Sequence, residues 1–124
     1  MKLEKIIPLL YSLDLNATVH FYTTHLGFIV NEWNEALQWV SLSNGDIELM
    51  FSSPVEGAKT GNPHFTGSFY FRVQDAAALW AALTELAVTP PISICYPLET
   101  FDWGMQEFAI YDNNGYVLQF GTPV

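Results

Sequence analysis

The same succession of signals runs through this chain twice, and that duplication constrains its fold more than any single motif. An apolar, β-rich run over residues 6–12 ends at Leu13-Asp14, after which the hydrophobic period changes from that of a strand to that of a helix. Leu15, Val19, Tyr22 and Leu26 share one helical face, Asp14 or Asn16 can cap its start, and Gly27 is a natural stop. Three short strands are predicted next, over residues 28–30, 37–42 and 47–51, with Asn34-Glu35 and Asn44-Gly45-Asp46 as turns. The second half repeats the order: a strand over 67–73, a helix capped by Asp75 and striped by Leu79, Leu83 and Leu86, then strands over 92–96, 107–111 and 116–120. Asp112-Asn113-Asn114-Gly115 supplies its last turn. Laying Asp75 on Asp14 brings the two strand-to-helix corners into register, so the chain reads as a duplicated βαβββ unit. The expected division is 1–53 for the first unit, 54–66 for a linker of turn formers, and 67–124 for the second. A length of 124 residues suits one domain of two such modules. Each mixed sheet has one face covered by its helix; the two open faces are expected to curl around a shared cavity, an α+β architecture.

Charge and composition narrow the partners. Four basic residues face thirteen acidic ones, for a formal charge of −9. Contacts to phosphates need clustered Lys and Arg, so neither nucleic acid nor an anionic membrane is an expected partner. No apolar run is long enough to span a bilayer, and Met1-Lys2-Leu3-Glu4-Lys5 lacks the apolar core of an export signal, so a cytoplasmic protein is expected. The single cysteine, Cys95, excludes an intramolecular disulfide framework and is expected to be a small buried hydrophobe. His20 and His25 lie about 140° apart around a helix and are not expected to converge on one ion, while His64 falls in the linker.

Two stretches carry a family likeness. Phe21-Tyr22 with Leu26-Gly27-Phe28 matches an FY…LGF pattern, and Trp103-Gly104-Met105-Gln106-Glu107-Phe108 followed by Asp112-Asn113-Asn114-Gly115 matches WGxxEF…DPxG. In this order and spacing they resemble the vicinal oxygen chelate superfamily of glyoxalases, bleomycin resistance proteins and extradiol dioxygenases, with the nearest likeness to the bleomycin-resistance-like branch. Gln106 stands where that branch usually has arginine, and Asn113 where it has proline. The resemblance covers nearly the whole chain and implies the glyoxalase/bleomycin-resistance-like fold. It also implies a homodimer with each cavity formed from halves of two chains.

Enzymes of that superfamily hold a divalent metal with side chains on the first and last strands of each module. Alternation along each strand puts Asp46, Glu48 and Met50 on the open face of the fourth, and Val117, Gln119 and Gly121 on that of the eighth. Ser68, Tyr70 and Arg72 face the same way on the fifth, and Ile7, Leu9 and Tyr11 on the first. The positions matching the family's ligands are therefore Ile7, Glu48, Ser68 and Gln119, of which only Glu48 and Gln119 are chemically able; two donors make no tight site. No cofactor is expected. The alternative is a lyase, isomerase or dioxygenase that uses Ni, Mn, Fe or Zn through Glu48 and Gln119. The leading expectation is a small-molecule binding protein that sequesters a flat or cationic organic ligand by stacking and charge. Its expected contacts are Trp39, Glu48, Met50, Ser68, Tyr70, Arg72, Trp103 and Gln119, with Tyr11, Trp33, Phe101 and Asp46 as further lining. Arg72 is expected to pair with Glu48 or another acid, because an unpartnered buried charge is costly.

Overall fold

The computed structural model describes residues 1–53, 68–85 and 91–124. The predicted linker, His64 and Leu86 lie outside the described residues. Its elements run β1 (Leu9–Tyr11), α1 (Leu15–Leu26), β2 (Ile29–Asn34), β3 (Trp39–Asn44), β4 (Ile47–Ser52), β5 (Ser68–Arg72), α2 (Ala76–Glu85), β6 (Ser93–Phe101), β7 (Met105–Tyr111) and β8 (Val117–Pro123). The chain divides into two units, residues 1–62 and 63–124. Their sheets have the same plan: β1-β4-β3-β2 in the first and β5-β8-β7-β6 in the second. In each, the opening strand pairs parallel with the closing one and the other pairs are antiparallel. This is the predicted pair of βαβββ modules.

The two corners repeat atom for atom. The Asp14 side chain accepts the Ala17 amide at 3.0 Å, and the Asp75 side chain accepts the Ala78 amide at 3.0 Å. The Asp14 carbonyl then takes the Thr18 amide at 3.0 Å and the Asp75 carbonyl takes that of Leu79 at 3.2 Å, the first intrahelical bonds. At the far end of α1, Gly27 adopts φ +70°, which only a residue without a Cβ does cheaply. That turn lets the Phe28 amide reach back to the Tyr22 carbonyl at 3.0 Å and lays the Phe28 ring against Tyr22, centroids 5.4 Å apart. The FY…LGF pattern is thus a helix stop that locks an aromatic pair.

Each core lies between one helix and one sheet face. In the first unit Leu15, Phe21, Tyr22, Phe28, Val40, Leu42, Leu49 and Phe51 are buried; in the second, Ala76, Leu83, Phe108, Ala109, Ile110, Leu118 and Phe120 are. The predicted stripe on α1 is rotated in the structure. Leu15 and Tyr22 are buried as expected, but Thr18 and Phe21 are buried where Val19 and Leu26 are half-exposed. The buried Ser12 hydroxyl meets that of Thr18 at 2.7 Å, which gives a polar residue its place in the core. Several strands also run longer than predicted. β2 reaches Asn34 and β6 reaches Phe101, each through bulges that short windows of alternation do not reveal.

Tyr22 is fully buried against Phe21, Phe28 and Phe51. Tyr22→Ala should therefore lower unfolding stability by about 3–5 kcal/mol in urea titration. A loss below about 1 kcal/mol would mean that this aromatic cluster does not organise the first unit.

Candidate functional site

The face of each sheet away from its helix carries polar side chains, in the registers that alternation predicts. In the first unit, Trp39, Ser41 and Ser43 of β3 and Glu48 and Met50 of β4 share this face, since Ser41 pairs with Met50 and Ser43 with Glu48. The Ser41 hydroxyl donates to Glu48 Oε2 at 3.2 Å. Asn31 bridges the two serines: its Nδ2 donates to Ser41 Oγ at 3.1 Å, and its Oδ1 accepts from Ser43 Oγ at 2.9 Å. Lys5, from the segment before β1, places Nζ 3.1 Å from Glu48 Oε1. These residues line an open cleft of about 770 Å³ with Trp39, Asp46, Glu32, Gly45 and Ile47. An indole and carboxylates therefore line one concavity.

Trp33, expected beside them, lies elsewhere. It lines a second cleft of about 450 Å³ with Leu13, Asp14, Leu15, Asn16, Glu35, Gln38 and Ser53. Tyr11 is half-exposed on β1 and lines neither cleft. Met50 shares the face of Glu48 but stands outside the cleft lining.

In the second unit, register brings Tyr70 opposite Gln119, Gln119 opposite Ala109, and Glu107 opposite Gly121. The Tyr70 hydroxyl donates to Glu107 Oε2 at 2.5 Å. Ser68 Oγ donates to Gln119 Oε1 at 2.5 Å, and Gln119 Nε2 donates to the Tyr96 hydroxyl at 2.9 Å. Gly121 makes the first of these contacts possible, because a side chain there would run into the Tyr70 hydroxyl and Cζ. Glu107 is only 5% exposed, and every buried side-chain polar atom among the described residues has a partner. Desolvation first, and then the hydrogen bond and charge of Glu107, push the Tyr70 phenol up to about 12, with Arg72 pulling the other way. Tyr96 is also raised, chiefly by desolvation.

Trp103 stands in the turn before β7, as predicted, and is 65% exposed. It stacks on Phe101 with centroids 4.5 Å apart and planes within 9°. Gly104, at φ +81°, closes this turn with its amide on the Phe101 carbonyl at 3.1 Å.

Two expectations are corrected. Cys95 is exposed, because it falls beside a bulge on the edge strand β6, and its partner is Tyr111, whose phenol it raises. Arg72 is exposed at the end of β5 and makes no ion pair among the described residues; Glu48 takes Lys5 instead. The His20 and His25 rings sit edge on with centroids 6.0 Å apart, and no third His, Cys, Asp or Glu side chain joins them in a cluster among the described residues. Burial first, then His20, holds the His25 pKa below the usual value. Glu107 was assigned only to a strand; its place in WGxxEF, next to the core residue Phe108, was the available signal that it turns to the open face.

Tyr70 gives a pH test. A phenol whose pKa is higher in the folded chain adds stability that is complete below about pH 10 and is lost as the pH rises through about 12. Absorbance titration at 295 nm should show one tyrosine titrating near 12 in the native protein, absent from Tyr70→Phe. The stability advantage of the native protein over that variant should shrink across the same window. A Tyr70 that titrates near 10 would mean that the contact with Glu107 does not persist in solution.

The description Glyoxalase/Bleomycin resistance protein/Dioxygenase superfamily matches residues 7–120 of the chain. No curated protein matches it. Among solved structures, a bleomycin-binding protein from bleomycin-producing Streptomyces verticillus, complexed with copper(II)-bleomycin, is similar at 26% identity and TM-score 0.68, over 97% of this chain and 96% of that one. A bleomycin resistance determinant encoded on the transposon Tn5 is similar at 22% identity and TM-score 0.67, over 98% of both chains. A protein of unknown function from Agrobacterium tumefaciens is similar at 19% identity and TM-score 0.76, over 100% and 97%.

Proposed function

The chain belongs to the glyoxalase/bleomycin resistance protein/dioxygenase superfamily, and on that premise we propose that it is a small-molecule binding protein that sequesters a flat or cationic organic ligand without transforming it. The observation that carries this reading is the joint placement of Trp39 and Glu48 in one open cleft of the first unit. An aromatic face beside a carboxylate suits stacking and cation attraction. Within the second unit, the exposed stack of Trp103 on Phe101 offers a flat surface of its own, and Ser68, Tyr70 and Gln119 carry hydroxyl and amide groups on the open sheet face. That a similar bleomycin-binding protein is seen complexed with copper(II)-bleomycin supports an organic ligand of this kind.

The reading is metal-free, and donor chemistry supports it. Ile7 has no donor atom, Glu48 is engaged by Lys5 and Ser41, and Ser68 and Gln119 are bonded to each other. Among the described residues no three His, Cys, Asp or Glu side chains converge. These residues do not fit a tight divalent site, which needs three or four strong donors. A homodimer and a cytoplasmic location belong to the same proposal. The exposed row Leu9, Tyr11 and Leu13 supports the first. No helix among the described residues is long and apolar enough to cross a membrane.

Titration with copper(II)-bleomycin, 9-aminoacridine and ethidium, followed by tryptophan fluorescence and mass spectrometry, tests the proposal. At least one should bind with one site per chain and be recovered unchanged, and Trp39→Ala should weaken it about ten-fold through lost stacking and burial. Turnover of a bound compound would overturn the proposal, as would failure of the whole panel to bind.

A further inference from the structure

The carboxylates on the two open faces are held in different ways. Glu107 is buried and met by the Tyr70 hydroxyl, a neutral donor that reaches it from β5 across the intervening β8. Glu48 is one-quarter exposed, and its Oε1 is held by an ammonium, that of Lys5, whose own side chain is 61% exposed. Lys5 belongs to a segment whose last firm attachment is the Met50 amide on the Pro8 carbonyl at 2.9 Å. Beyond that point Ile6, Leu3 and Met1 are almost fully exposed, and the side chains of residues 1–6 make one bond among the described residues, the pair with Glu48. The Lys5 ammonium is therefore seated in an organised subsite by an arm that nothing else holds down.

We propose that Glu48, oriented by Ser41 in the cleft that Trp39 also lines, forms an organic-ammonium subsite, and that Lys5 is its displaceable resting occupant. The inference rests on the ligand-binding reading above and narrows it to ligands that carry an amine next to an aromatic ring. Three features support it. The position is chemically complete for an ammonium, because one is there at 3.1 Å from a carboxylate that a buried serine orients through its other oxygen. Departure of Lys5 costs little, since exposed ion pairs on flexible side chains are weak and its charge returns to water. The same cleft continues past the carboxylate to Trp39, so an incoming cation can carry a ring that lysine lacks. Lys5 then acts as a built-in competitor: neutral ligands do not contest its place, and cationic ones must displace it.

The test compares 2-naphthylmethylamine with its neutral counterpart 2-naphthalenemethanol by calorimetry. Amide resonances of Ser41 and Glu48 report whether each probe reaches this cleft. The amine should bind more tightly than the alcohol to the native protein. Lys5→Met should tighten the amine about two- to five-fold, the range that an exposed ion pair commands, and leave the alcohol unchanged. Glu48→Gln should erase the preference for the amine. Both substitutions are at exposed or half-exposed side chains, and unchanged thermal unfolding confirms an intact fold. An amine affinity that Lys5→Met leaves unaltered, or a preference that survives Glu48→Gln, overturns the proposal. Equal binding of the two probes to all variants overturns it while leaving the binding function intact. Failure of both probes on every variant counts against both.

Discussion

A four-stranded sheet with a helix on one side only must bury that side and present the other. This constraint acts twice here. Val40, Leu42, Leu49 and Phe51 in the first unit, and Phe108, Ile110, Leu118 and Phe120 in the second, go to the core side. Because side chains alternate along a strand, the residues between them have no choice of face. Ser41, Ser43 and Glu48, like Glu107 and Gln119, are polar because their neighbours in sequence are core. The antiparallel pairing of β3 with β4 and of β7 with β8 fixes the register in which those polar groups meet, and β1 and β5 add a parallel edge strand to each sheet. The corner aspartates then set the helices on the correct side, with the same bond repeated at Ala17 and Ala78.

The two open faces use their polar groups differently. In the second, small residues shape the network: Gly121 leaves room for the Tyr70 ring to reach Glu107, and Ser68 and Tyr96 occupy both ends of the Gln119 amide. A face satisfied in this way presents polar surface that is already bonded. In the first, the serine and asparagine bonds orient Glu48 but leave its second oxygen to a lysine from outside the sheet. Recognition of an incoming charge is easier where the carboxylate's partner is an exposed lysine than where the carboxylate itself is buried and bonded to a tyrosine hydroxyl.

Much of this was legible in the sequence. Periodicity and caps located both helices, the register of Asp14 with Asp75 exposed the duplication, and alternation assigned the faces of β4, β5 and β8. What escaped has physical reasons. The bulges in β2 and β6 shift the count on which alternation depends, so Cys95 was expected inside and lies outside. The apolar residues of α1 centre its stripe on Val19 and Leu26 and put Thr18 at the margin, whereas the bond to Ser12 lets Thr18 hold a core position. Lys5 lies before the first strand, where no period operates, and only three-dimensional proximity joins it to Glu48. Glu107 stood inside a recognised motif, yet its role depends on the absence of a side chain at Gly121, a relation between strands that sequence order conceals.

The claim at the centre of this picture is that Glu48 serves as a group for organic ligands and not as a metal ligand. Thermal unfolding of chelator-treated protein, repeated with Ni²⁺, Mn²⁺, Fe²⁺ and Zn²⁺ in turn, tests it most directly. An ion at about a hundred times its dissociation constant would add about 2.7 kcal/mol, a rise of several degrees. The expected result is no rise beyond about 1 °C with any of the four, well under that shift. A clear rise with one ion that disappears in Glu48→Gln would contradict the claim.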